Sequence, residues 1–419
     1  MSKPLQVNPH KLSPVMGAHL ACLGVDGVMP IIHGAQGCSN FSKVFFTRHF
    51  SEPIVSHSTA VNDITAVLDG GACVAEAIDT LAKKSPFKLA AIITTGLTET
   101  KGDDVKGAIG QLSYPALYFP TPDYEGGLEE GFALAIEVFI KERMVSVTTP
   151  DPKLALILPH ASMTPLEVEK LKEFLEDFGV RALALPDLSG SLDGHLEERQ
   201  GSVSKGGITL EEIEEASRAG MILSIGESTR KARQAFLAKN PGAFDLNVES
   251  LYGLRSSDAL IRALMDWTGH EPSVRIKRWR ARLQDMMLDS HFALGGKRVI
   301  AALENDHLLG ISKILEEVGM SFELAVATTG GPAMTKISAK EAVVGDLEHL
   351  MQNIESSEGV IACERLGGFL PKETPWLVRG YPIFERIGTG LGNDILYEGG
   401  CYLLKELANL FLKEHQAHD

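Results

Sequence analysis

Leu154-Ala155-Leu156-Ile157-Leu158-Pro159-His160-Ala161-Ser162-Met163-Thr164-Pro165-Leu166-Glu167 is the stretch from which the fold can be read. Its opening apolar run has the length of a strand buried on both faces. Thr164 then reads as a helix N-cap, Pro165 as the first helical residue and Glu167 as the reciprocal partner of a capping box. Val168, Leu171, Phe174, Leu175 and Phe178 fall on one helical face, and Gly179 stands where a left-handed cap is needed. Val180 to Leu185 is again strand-like. Thr209-Leu210-Glu211-Glu212 repeats the capping box, and Met221 to Ile225 repeats the buried strand. Strand, helix and strand in this order predict a doubly wound parallel sheet over about residues 150–270.

The same grammar extends in both directions. Upstream, Lys88-Leu89-Ala90-Ala91-Ile92-Ile93-Thr94 is a buried-strand candidate, preceded by a helix from Gly70-Gly71 to about Lys84. It runs into Thr94-Thr95-Gly96-Leu97-Thr98-Glu99-Thr100-Lys101-Gly102-Asp103-Asp104, a predicted polar loop at the carboxyl end of a strand, where open α/β sheets carry their sites. Downstream, a basic helix holds Arg275, Lys277, Arg278, Arg280 and Arg282. After it come a strand at Lys297 to Ala302, a helix from His307 to Val318 ending at Gly319, and a strand at Glu323 to Ala327. A last helix, about Gly400 to Lys413, carries Leu403, Leu404, Leu407, Leu410 and Phe411. The expectation is α/β throughout: three doubly wound parallel-sheet domains around a central cleft, spanning residues 1–150, 151–290 and 291–419.

Composition excludes several classes. In 419 residues, 40 Lys+Arg against 55 Asp+Glu leave a net charge of −15, the wrong sign for a chain built to grip phosphate backbones. Hydrophobic residues at 44% and charged residues at 23% match globular averages and exclude a disordered or fibrous chain. No apolar run is long enough to span a bilayer, and Met1 to Gln6 lacks the apolar core of a signal peptide. Cys22, Cys38, Cys73, Cys363 and Cys401 are scattered, with no CxxC pair and no disulfide framework. The expected compartment is the reducing cytoplasm.

Cys38 is the most informative candidate. It lies in His33-Gly34-Ala35-Gln36-Gly37-Cys38-Ser39-Asn40, where glycines let backbone approach a bulky object and peptide N–H groups can face sulfur. On pattern alone, a metal or cluster ligand and a small buried hydrophobe both remain open. The other four cysteines sit in apolar or helical contexts and read as core. His33 reads as a ligand, an electron-path residue or, more commonly, a ring bonded to a nearby carbonyl. Glu99, Asp103 and Asp104 read as a cation site or as helix caps, with capping favoured. His415 and His418 read as a solvated tail. Gly388-Thr389-Gly390-Leu391-Gly392 has the spacing of neither nucleotide-binding glycine motif. The basic helix reads as a solvated interdomain element. No Ser–His–Asp set or catalytic carboxylate pair stands out, so no catalytic residue is assigned.

Together these segments resemble the nitrogenase component 1 family. Met29-Pro30, His33 to Cys38 and Arg48-His49-Phe50 match its MP…HGxQGC…RHF signature, and Thr94 to Asp104 matches its STxxxxExxGDD loop. Leu185 to Gly194 and Gly380-Tyr381-Pro382-Ile383-Phe384-Glu385-Arg386 carry the likeness through the later domains, over nearly the whole chain. The resemblance implies a cluster-ligating role for Cys38. The family's catalytic β subunit gives three cysteines to an eight-iron cluster, and only the middle one has a counterpart here. The first falls at about Leu12 and the third at Gly96, and neither side chain can ligate iron.

The resemblance therefore implies a β-like subunit of the scaffold for iron–molybdenum cofactor biosynthesis, without catalytic residues of its own. The absence of a long N-terminal extension suits that subunit. A [4Fe-4S] cluster takes about four ligands: Cys38 would supply one and an E-like partner (NifE) the other three. The partner would hold the cofactor precursor, in an α2β2 heterotetramer whose interface includes Leu12 to Asn40. An iron-protein reductase (NifH) and a precursor donor (NifB) would visit transiently. Two other readings are a β-type subunit of a catalytic nitrogenase-like reductase and the vanadium-system counterpart scaffold. The missing cysteines count against a nitrogenase. The Thr98 to Asp104 loop and the Leu188 to His195 segment count against a protochlorophyllide reductase.

Overall fold

The computed structural model describes residues 10–67, 70–196 and 201–416; Met1 to Gln6 and His418 lie outside them. Among the described residues, thirteen strands form three sheets, and every strand pairing is parallel. The first sheet holds β1 (Val28–His33), β2 (His57–Ser58), β3 (Leu89–Thr94) and β4 (Ala116–Phe119), in the order β2-β1-β3-β4. The second holds β5 (Asp151–Leu158), β6 (Arg181–Ala184), β7 (Ala219–Ile225) and β8 (Phe244–Val248), ordered β6-β5-β7-β8. The third holds β9 (Arg298–Leu303), β10 (Ser321–Ala327), β11 (Ala339–Val344), β12 (Gly359–Ala362) and β13 (Trp376–Val378), ordered β11-β10-β9-β12-β13. Parallel strands need helical crossovers that cover both faces, and this is the three-sheet α/β architecture the sequence predicts.

The capping boxes do what their spacing requires. Glu167 N–H donates to Thr164 Oγ1 at 3.1 Å and Thr164 N–H to Glu167 Oε2 at 2.9 Å, opening the helix Pro165–Glu176. Gly179 closes that turn at φ +74°, in the left-handed region that glycine adopts without strain. Strand β5 shows the period of two: Leu154, Leu156 and Leu158 join the core shared with the first sheet, while Ala155 and Ile157 join the core shared with the third. Apolar side chains thus run continuously from one sheet to the next.

Three elements differ from expectation. The polar stretch after Thr94 is not all loop: Gly96–Lys101 is a short helix, with Thr95 N–H donating to Thr98 Oγ1 at 3.0 Å. Cys38 stands in the first turn of a helix, Gln36–Phe50, that apolar periodicity does not reveal. Its inward face mixes Ser39, Ser42 and His49 with Phe45, Phe46 and Phe50, so the hydrophobic pattern is muted. Ser42 is satisfied by His19 Nδ1 at 2.7 Å. The last helix starts at Leu396, a turn earlier than Gly400, and reaches Gln416.

Two contacts lock the fold, one inside the first sheet region and one between sheet regions. The helices Pro14–Leu23 and Leu128–Arg143 cross backbone to backbone: a Cβ on Gly17 would lie 2.0 Å from the Leu128 carbonyl oxygen, and one on Gly131 would lie 1.9 Å from that of Pro14. The second contact is a polar junction at the start of the helix Asn305–Glu317. Asp306 N–H donates to Glu129 Oε1 at 2.9 Å, and the Asp306 carboxylate accepts from Glu227 N–H at 2.8 Å and Ser228 N–H at 3.0 Å. Thr329 Oγ1 donates to Glu130 Oε1 at 2.7 Å. One residue of the third sheet region therefore bonds both of the others.

Buried ionisable groups, at this junction and elsewhere, make stability depend on pH with a definite sign. Burial pushes Glu304 up to about 8, and burial together with Asp394 pushes Glu167 up to about 8. Burial, with Asp306 and Glu304 adding, holds Glu129 well above the ordinary range. These carboxyls bind protons more tightly folded than unfolded, so their contribution is complete below about pH 4.5 and is lost as pH rises towards 8. Burial lowers His10 and His19 to about 4 and His49 and His307 to about 3; their contribution is present above pH 6.5 and is lost on acidification. Between pH 6.5 and 8 only the carboxyls slope, at up to about 1.4 kcal/mol per pH unit each. The melting temperature should peak near pH 6.5 and fall towards 8.5. Glu304→Gln should flatten the alkaline side; an unchanged alkaline slope in that variant would refute the assignment.

Candidate functional site

The Cys38 site gathers at the carboxyl ends of β1, β3 and β4, where parallel sheets present their loops. Cys38 is the one exposed cysteine; Cys22, Cys363 and Cys401 are buried and Cys73 is half-buried. The Cys38 helix and the segments after β3 and β4 carry exposed apolar side chains. Phe41 and Val44 stand exposed on the same helix, Leu97 on the short helix after β3, and Tyr124 on the loop after β4. Partial desolvation pushes the Cys38 thiol up, the Asp123 carboxylate adds to this, and backbone hydrogen bonds oppose both. Unaided, the sulfur is a thiol; a bound cation would be needed to hold it as thiolate.

Asp123 is the residue that sequence reading missed. Its Oδ2 accepts from Gly96 N–H at 3.0 Å, and its Oδ1 accepts from Ser13 Oγ, the N-cap of the helix Pro14–Leu23. Leu12, beside it, is buried. Where the resemblance puts two further sulfurs, the chain has an apolar side chain turned inward and a bare backbone bonded to a carboxylate. A signal existed: Thr121-Pro122-Asp123 directly follows a parallel strand.

His33 is buried but does not bond a carbonyl. Its Nε2 lies 3.0 Å from Asp103 Oδ2 and its Nδ1 2.9 Å from Thr59 Oγ1. Asp103 also meets Lys101 Nζ at 3.0 Å, so this carboxylate is a buried bridge and not a helix cap. The helix after it is capped by Asp104, which accepts from Gly107 N–H at 2.9 Å. Glu99 accepts from Tyr118 Oη at 2.6 Å and from Thr94 Oγ1. These acids are spent within the chain. Among the described residues, no three His, Cys, Asp or Glu converge to hold a metal. A single exposed thiol fits one corner of a cluster shared with another chain and does not fit a cluster held by this chain alone.

A second feature is the central cleft, a cavity of about 620 Å³ lined by His49, Glu167, Tyr252, His307, Arg379 and Asp394 among others. Its charges are already paired: Arg379 grips Asp394 through Nε at 2.5 Å and Nη2 at 3.0 Å, and reaches Glu406 at 2.8 Å. The glycine-rich turn at Gly388 to Gly392 lines this cavity and ties back through Thr164 Oγ1, which donates to Gly392 O at 2.6 Å. The basic helix, Val274–Leu294, is likewise paired within the chain: Arg280 is bidentate on Asp258 at 2.8 Å, Arg275 meets Asp177 at 3.1 Å, and Arg282 stacks 4.4 Å from the Trp279 ring. No helix among the described residues is long and apolar enough to cross a membrane.

Comparison with known proteins agrees with this geometry. The family described as nitrogenase component 1 type oxidoreductase matches residues 13–412. The nitrogenase iron-molybdenum cofactor biosynthesis protein NifN of Nostoc sp. (strain PCC 7120) is 34% identical over 425 residues, covering 99% of this chain and 95% of that protein. The NifN protein of Rippkaea orientalis is 35% identical, covering 100% and 96%, and that of Klebsiella pneumoniae is 32% identical, covering 99% and 92%. Among solved structures, nitrogenase Cp1 at pH 6.5 superposes with a TM-score of 0.94 at 25% identity, over 100% of this chain and 96% of that one. Sequence signature, sheet order and full-length likeness agree: the chain belongs to the nitrogenase component 1 family, and it resembles the NifN members of that family from end to end.

Proposed function

We propose that this chain is the β-like half of a scaffold for iron–molybdenum cofactor biosynthesis, divided into α/β domains near residues 150 and 290. The observation that carries the proposal is the lone exposed Cys38, on a helix that also exposes Phe41 and Val44, with positions 12 and 96 unable to ligate. The NifN names of its relatives supply the process, cofactor biosynthesis in nitrogen fixation. An E-like subunit supplies the remaining ligands of an interface [4Fe-4S] cluster and holds the cofactor precursor. NifH-type and NifB-type proteins dock on the resulting α2β2 assembly to deliver electrons and precursor.

In this reading each residue has a physical task. Cys38 contributes one thiolate from the start of a helix whose inner face is locked by aromatic packing, including Phe45 against Phe46 at 5.5 Å. Phe41, Val44, Leu97 and Tyr124 exclude water from the seam, as a shared cluster requires. The buried His33–Asp103 pair holds β1 against the loop after β3. When bound, the cluster supplies one-electron transfer at the interface.

The test is co-expression. Produced alone, the chain should retain no cluster; co-expressed with an E-like partner it should form a heterotetramer with about four interface irons per heterodimer, besides precursor iron. Electron paramagnetic resonance should report the cluster. The complex should support cofactor maturation without nitrogenase-level dinitrogen reduction. A stable monomer that never co-purifies with a partner, or sustained dinitrogen reduction by the complex, refutes the proposal.

A further inference from the structure

We propose that Asp123 crowds the first atom of any side chain at position 96, so that a sulfur placed there cannot join Cys38 on a metal unless the aspartate moves. This rests on the reading of Cys38 as a cluster ligand. A Cβ on Gly96 would lie 3.2 Å from both Asp123 Cβ and Asp123 Oδ2, and 3.3 Å from Asp123 N. Contacts that short require the neighbour to give way.

The aspartate is poorly placed to do so. Although the residue is exposed, each of its two oxygens is held by a hydrogen bond, one from Gly96 N–H and one from Ser13 Oγ. Ser13 is itself fixed, its Oγ accepting from Val15 N–H at 3.1 Å at the start of a helix. That helix is seated backbone to backbone on Leu128–Arg143 through Gly17 and Gly131, so it cannot slide to release the carboxylate. The tie at Ser13 and the crowding at Gly96 thus reinforce each other. Asp123 is a specificity-determining residue: it fixes how many sulfurs this face offers, and so how large a cluster the interface can accept.

The test compares three complexes co-expressed with the E-like partner: wild type, Gly96→Cys, and Gly96→Cys combined with Asp123→Gly, which removes both the Cβ and the carboxylate that crowd position 96. The readouts are iron per heterodimer and the paramagnetic spectrum of the interface cluster. Gly96→Cys alone should keep the wild-type iron content and spectrum. The double variant should change the spectrum, gain iron, or both, because the new sulfur can now reach the metal. The same spectral change in Gly96→Cys alone, or a wild-type spectrum and iron content in the double variant, overturns the proposal. If Gly96→Cys fails to assemble, rescue by Asp123→Gly supports it and no rescue overturns it. A wild-type complex without Cys38-dependent iron would instead refute the underlying reading, which separates the two failures.

Discussion

Cys38→Ala should strip or destabilise the interface cluster while leaving the heterotetramer assembled. A cluster of four irons takes about four protein ligands, and this chain offers one. Removing it opens an iron site that water or a neighbouring side chain fills only imperfectly, so the expected loss runs up to about four irons per heterodimer. Assembly should survive, because stable interfaces bury on the order of 1,600 Å² and more, against which one metal–sulfur bond is a small part. The same change at Cys22, Cys363 or Cys401 removes a buried thiol, and at Cys73 a half-buried one. Those variants should lose stability in proportion to the cavity left, with iron near wild type. Iron analysis and paramagnetic resonance across the five variants decide the matter. Unchanged iron in the Cys38 variant, with loss in any of the other four, would move the site elsewhere.

Gly131→Val should be the most damaging small substitution in the first domain. Its Cβ would fall 1.9 Å from the Pro14 carbonyl oxygen, and the obstacle is backbone, not a flexible side chain. Relief requires the two helices to separate, which opens the packing of Ala18, Leu20, Phe132 and Ile136 in the shared core. Overpacking of this kind costs about 1–3 kcal/mol where side chains can adjust, and here it should reach about 3 kcal/mol or more. Gly110→Ala is the control: nothing lies within 4 Å of its Cβ, and its φ is not in the left-handed region. That change should be neutral or stabilise by a few tenths of a kcal/mol to about 1 kcal/mol. Thermal melting of the complex reads both. Equal melting temperatures for the two variants would show that the helix crossing is not under steric constraint.

What could be read from the sequence was local or carried by the family signature. Leu154 to Leu158 is a buried strand, and Thr164, Pro165 and Glu167 cap a helix, whatever lies across from them. Cys38 could be singled out because Gly34 and Gly37 stand just before it. Features made by distant segments were silent. Asp123 owes its role to Ser13 and Gly96, which lie 110 and 27 positions away. His33 finds its carboxylate 70 positions downstream. Glu129 and Glu130 look like ordinary acids of a helix's first turn, yet Glu129 is buried against a domain far along the chain. Periodicity could not expose the helix at Gln36 because small polar residues share its buried face.

The junction at Asp306 also has a consequence in time. Glu129 and the amide it accepts from are 177 residues apart. At roughly 5–20 residues per second, the ribosome needs about 9–35 seconds to close that gap. Over that interval Glu129 lacks its amide partner, and the apolar surface of the first sheet region stays open until the second sheet, residues 151–248, is made. A nascent chain in that condition is a client for chaperones. Slowing translation between residues 130 and 306 should therefore lower the soluble yield, and truncations ending inside that span should be recovered bound to chaperones.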